Sequence, residues 1–202
     1  MKYPFLASFL VFCVVFYLRN RFYDRKRENA KKAYFDRELR ANSVRKQPLD
    51  DLDYIHIPLD SLPMDKYPDD SVISECLSDL KLLSEESIVN FTGFTNTDLK
   101  LDYGPANLPY LEKCDYNYTH LVRVLHNWGA RLYELDCHNE ALTVLQYAVS
   151  INTDISATYY LAADIYTERH ESDKIQSLIE TASGLNSLMK NSIISNLNKK
   201  LN

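Results

Sequence analysis

At 202 residues and 46 % hydrophobic content, the chain is long enough for one folded domain with attachments and too apolar for a disordered one. With 4 Gly and 7 Pro it lacks the turn residues of a barrel or sandwich, and 15 Tyr against 1 Trp suit the half-wet seams between helices. The net charge of -5 excludes a general polyanion binder, although residues 19–46 hold eleven Lys or Arg against four acids and residues 50–102 hold three against thirteen.

The first predicted element is an uncharged run from Tyr3 to Leu18, closed by Arg19, Arg21, Arg25, Lys26 and Arg27. Sixteen residues fall short of the roughly 20 of a bilayer span, but Lys2 and Arg19 can snorkel and Tyr3 and Tyr17 suit the interfaces. Bulky Phe16, Tyr17 and Leu18 stand where a leader peptidase needs small residues, so residues 1–19 read as a retained transmembrane signal anchor. The basic flank places the bulk of the chain in the cytoplasm, with the five cations at the membrane interface; the pattern does not separate a bacterial plasma membrane from a mitochondrial outer membrane.

Residues 20–46 contain no Pro or Gly and read as a basic juxtamembrane helix. In residues 47–68, Pro48, Pro58, Pro63 and Pro68 interrupt helix propagation, leaving an acidic linker or a strap pinned by Tyr54, Ile55, Ile57 and Leu59. Within residues 69–118, Val72, Ile73, Cys76, Leu77, Leu80 and Leu83 recur at helical spacing, and the stretch 90–117 reads as loops and short helical turns.

From residue 119 to 202 a periodicity appears. Leu125, Trp128, Gly129, Leu132, Ala141, Leu145 and Ala148 return thirty-four residues later as Tyr159, Ala162, Ala163, Tyr166, Ile175, Ile179 and Ala182. Small residues let paired helices approach and large ones fill the groove between them, with turns at Asp136 and Cys137 and at Arg169 to Ser172. Leu185, Leu188, Met189, Ile193, Ile194 and Leu197 predict a capping helix.

This pattern resembles the tetratricopeptide-repeat family over about two repeats. The resemblance implies an all-α fold of helical hairpins with flanking helices, attached to the N-terminal transmembrane helix. It also implies a binding module whose first helices carry the ligand. The matching positions are Arg123, His126, Ala130, Tyr133 and Glu134, then Ala157, Tyr160, Asp164, Thr167 and Glu168. This surface is mixed in charge and lacks a Lys and Arg cluster for a terminal carboxylate.

No phosphate loop, nucleophile elbow or metal-ligand spacing occurs, and Cys13, Cys76, Cys114 and Cys137 form no CxxC pair. No enzyme, cofactor, metal or nucleic-acid role is therefore expected. The expected function is a membrane-tethered adaptor or scaffold for a cytoplasmic or membrane protein. The alternatives are a structural subunit, including a self-associating one, and an import receptor of the mitochondrial outer membrane.

Overall fold

The computed structural model describes residues 4–201. Among them the chain forms helices α1 (Pro4–Asn42), α2 (Ser71–Ser84), α3 (Asn96–Tyr103), α4 (Leu108–Glu134), α5 (His138–Ser150), α6 (Ser156–Glu168), α7 (Ser172–Ser183) and α8 (Lys190–Leu201). The fold class is all-α. The chain divides into two compact units, Met1–Gln47 with Thr95–Leu108, and Pro48–Phe94 with Pro109–Asn202.

In the first unit, α1 is one uninterrupted helix of 39 residues, because nothing between Phe5 and Asn42 breaks it. Among the described residues, however, no helix is long and apolar enough to cross a membrane. This departs from the expected transmembrane helix over residues 1–19. Met1, Lys2 and Tyr3 lie outside the described residues, and the uncharged part of the helix from Pro4 to Leu18 rises only about 22 Å before Arg19, against roughly 30 Å of bilayer core.

The far end of α1 packs on α3. Thr95 caps α3 reciprocally: its Oγ1 accepts from the Asp98 amide at 3.2 Å, and Asp98 Oδ2 accepts from the Thr95 amide at 2.9 Å. Glu38 of α1 accepts from Thr97 Oγ1 at 2.7 Å and pairs with Lys100, while Arg37 pairs with Asp98. Gly104 follows α3 at φ 84°, and a Cβ there would lie 2.6 Å from the Arg45 carbonyl oxygen. Both the backbone angle and the close approach require glycine. Buried Asn107 then donates to the Gln47 and Tyr103 carbonyls, each at 2.8 Å.

In the second unit, residues 49–68 run as an ordered strap over the helices. The Ile55 amide donates to the Ile88 carbonyl at 2.9 Å, Tyr147 Oη to the His56 carbonyl at 3.2 Å, and Lys66 pairs with Glu140 at 2.9 Å. Ile55, Ile57, Leu59 and Met64 pack on the core, and Leu62 is buried in it. Asp70 starts α2 by accepting from the Val72 and Ile73 amides, and the buried face Ile73, Cys76, Leu77, Leu80 and Leu83 joins the same core as Leu121, Leu125 and Trp128.

The segment expected to hold loops and short helical turns up to residue 117 has one such short helix in α3, but from Leu108 onward it is the start of a single long helix. Pro109 sits in the first turn of α4, where its missing amide would have no partner in any case. Gly129 on α4 faces Leu145 of α5 so closely that a Cβ would stand 2.7 Å from Leu145 Cδ2.

Both hairpin turns are built alike. After α4 the Cys137 amide reaches the Leu132 carbonyl and the Asp136 amide reaches the Tyr133 carbonyl, with Asp136 at φ 58°. Thirty-four residues on, Glu171 and His170 make the same bonds to Tyr166 and Thr167, with His170 at φ 60°. This is the Schellman closure, carried by Asp and His in place of the usual glycine. Asn152 at φ 61° closes α5 in the same way. Last, α8 buries Ile193 and Leu197 against α6 and α7 and leaves Asn191, Ser195 and Lys199 exposed.

Candidate protein-binding surface

The residues expected to bind a partner lie on α4 and α6, and most are already engaged by other groups of the fold. Tyr133 Oη donates to Glu168 Oε1 at 2.8 Å, which pushes the phenol pKa up. The His138 ring stacks on Tyr133 with centroids 4.6 Å apart, and His138 Nδ1 lies 3.3 Å from Glu168 Oε2. His126 is half-buried and shares a 3.2 Å hydrogen bond with Thr158 Oγ1; burial lowers its pKa. These contacts join α4 to α6 as one surface.

The second expected group is covered by α8. Tyr160 Oη accepts from Asn196 Nδ2 at 3.0 Å and donates to the Ser192 carbonyl at 3.4 Å, and Asp164 pairs with Lys200. Thr167 Oγ1 donates to the Ala163 carbonyl within its own helix at 2.8 Å. Glu134 is exposed but bound by Arg131, which also grips Asp70 at 2.7 Å. Arg123, Ala157, Thr167 and Glu168 are exposed.

Arg123 sits where two clefts on α4 meet. One, of about 410 Å³, is lined by Phe91, Phe94, Asp115, Tyr118 and Asp154; the other, of about 370 Å³, by Glu112, Asp115, Tyr116, Thr119 and His120. Tyr116 and Phe94 are exposed, and partial burial raises the Asp115 pKa. His120 Nε2 is 3.1 Å from Asp79. Reading the stretch before residue 118 as loops and short helical turns conceals this face. The signal was present in the spacing of Leu111, Cys114, Tyr118, Leu121 and Leu125, which marks a buried stripe and puts residues 112, 116 and 123 on the open side.

The five interface cations expected from the sequence are all exposed on α1. The nine large apolar side chains from Phe9 to Leu18 are each more than half exposed. Among the described residues no three His, Cys, Asp or Glu side chains stand together as metal ligands, and the four cysteines are free. Compared with family models, with curated proteins and with solved structures, the chain matches none.

Proposed function

We propose that this protein is a membrane-tethered adaptor whose tetratricopeptide-like hairpins hold a second protein near a bilayer. The observation that carries this reading is the apolar end of α1. Phe9, Leu10, Val11, Phe12, Val14, Val15, Phe16, Tyr17 and Leu18 fill positions 9–18 with exposed Cys13, so every side of the helix is apolar and exposed. A helix that is apolar all round belongs in lipid or in a protein core. The reading requires that this end be embedded; a full crossing would draw on residues 3–7 and on snorkelling by Lys2 and Arg19. The basic flank assigns the rest of the chain to the cytoplasmic side.

The repeat reading is supported by the recurrence of turn geometry at Asp136 and His170 and of small residues at Gly129 and Ala163. Tethering raises the effective concentration of a partner on the same membrane, so a surface of modest affinity suffices. The exposed part of the α4 and α6 face, from Tyr116 and Arg123 to Ala157 and Glu168, is the surface assigned to that partner.

In-cell photocrosslinking from positions 119 and 157 of the full chain, both exposed on this face, tests this. A defined product, lost when Tyr116, Arg123 and Glu168 are replaced together by Ala, is the expected result. Crosslinks unchanged by that replacement would sink the assigned face. Products consisting solely of a second copy of the chain would favour the structural-subunit reading instead.

A further inference from the structure

We propose that the arginine-rich segment of α1 is a collar for anionic lipid headgroups, and that α1 passes through the headgroup layer upright. This rests on the lipid-embedded reading of the apolar end and adds to it the class of lipid and the orientation of the helix.

At about 100° per residue, taking Arg19 as zero, Arg27 falls near 80°, Arg21 near 200°, Arg25 near 240° and Lys26 near 340°. The cations therefore surround the helix, and the widest gap, about 120°, is where Asp24 lies. A helix lying flat on a membrane keeps its charges on one side and its apolar residues on the other. Here neither the apolar run before Arg19 nor the basic run after it favours a side, which suits a helix perpendicular to the surface.

The lengths agree with that orientation. Arg19 to Arg27 rises about 12 Å along the axis, enough to traverse the roughly 5–8 Å of headgroups flanking one side of the hydrocarbon core. Arg19 lies over the Tyr23 ring at 5.6 Å, and Phe22 and Tyr23 are both exposed at this level. Aromatic rings and arginine stems are the side chains that settle at the boundary between lipid tails and water. Five cations against one acid in nine positions complement phosphate groups that reach the helix from every direction. Continuity with the apolar run makes the phosphate that of a lipid, not of a nucleic acid.

Flotation of the full-length protein with vesicles separates the two layers of the argument. Neutral phosphatidylcholine vesicles report the apolar end; vesicles with about a third phosphatidylglycerol report the collar as well. The expected result is binding to both, at least about tenfold tighter to the anionic vesicles, with the excess removed by high salt. Replacing Arg19, Arg21, Arg25, Lys26 and Arg27 together by Gln should equalise the two. Single Arg21→Gln and Arg27→Gln variants, on different sides of the helix, should lose similar fractions of the excess. Equal wild-type binding to both vesicles would overturn the collar and leave the embedded end intact; failure to float with either would overturn the embedded end itself. A loss confined to one of the two single variants would overturn the upright orientation. Comparable binding of a DNA duplex at the same salt would overturn the assignment to lipid.

Discussion

Tyr133 of α4 donates a 2.8 Å hydrogen bond to Glu168 of α6 across the seam between the two hairpins. Tyr133→Phe keeps the ring stacked on His138 and removes only that bond. It should therefore cost about 0.5–1 kcal/mol, a small fall in the urea midpoint, because Glu168 remains hydrated. A loss several times larger would mean that the phenol does more than tie the seam.

Gly129→Ala introduces a methyl group 2.7 Å from Leu145 Cδ2, and buried Leu145 has little room to yield. The expected loss is about 1–3 kcal/mol by thermal unfolding. Ala163, one repeat later, is fully buried and already carries the methyl, so the reverse change Ala163→Gly should also destabilise, by a smaller cavity and helix-propensity loss.

Asp136 and His170 hold left-handed backbone at equivalent turns. Glycine relieves the Cβ crowding of that conformation, so Asp136→Gly and His170→Gly should each raise the melting temperature. Asp136→Val should lower it. Opposite signs at the two glycine substitutions would show that the turns are not equivalent.

Acid should act on each unit through a different group. Hydrogen bonds from Thr95 and Arg37 hold the Asp98 pKa at about 2, below its ordinary 3.8. A carboxylate with a depressed folded pKa stabilises above the unfolded value and loses that contribution as pH falls through the folded one. Protection of the α3 amides, corrected for intrinsic exchange, should accordingly fall below about pH 4, and Asp98→Asn should weaken that dependence, leaving the share of Glu38, whose pKa is also lowered by its bonds to Lys100 and Thr97. His126, lowered from 6.5 by burial, contributes a stability that is full above its unfolded value and declines as pH drops below it. His126→Gln should flatten the stability profile between about pH 7 and 5.

Asp70 serves twice, as the cap of α2 and as the partner of Arg131. Asp70→Asn keeps the cap and removes the charge, whereas Asp70→Ala removes both. Chemical denaturation should rank them wild type, Asn, Ala in falling stability.

Helix periodicity is a local property, and it was legible wherever the buried stripe was long. Ile73 to Leu83 marks α2, and the 34-residue return of Trp128 and Ala162 marks the paired helices. Pro109 and the glycines around it hid the first turns of α4, because a proline in a first turn and a proline in a loop look the same without the partners of Leu111 and Cys114. The candidate face was legible as a set of positions and not as a set of free groups. That Asn196 and Lys200 would come to Tyr160 and Asp164 depends on how α8 packs, which no spacing within α6 encodes.

The strap also sets an order of events on the ribosome. The His56 carbonyl that receives Tyr147 Oη is made 91 residues earlier than its donor. At about 5–20 residues per second, that separation corresponds to a wait of roughly five to twenty seconds. Through that interval Ile55, Ile57 and Leu59 emerge without the helices they will cover. The nascent chain thus exposes a short apolar segment set among acids, and the like charges of Asp50, Asp51, Asp53, Asp60 and Asp65 keep neighbouring copies apart until α5 is complete.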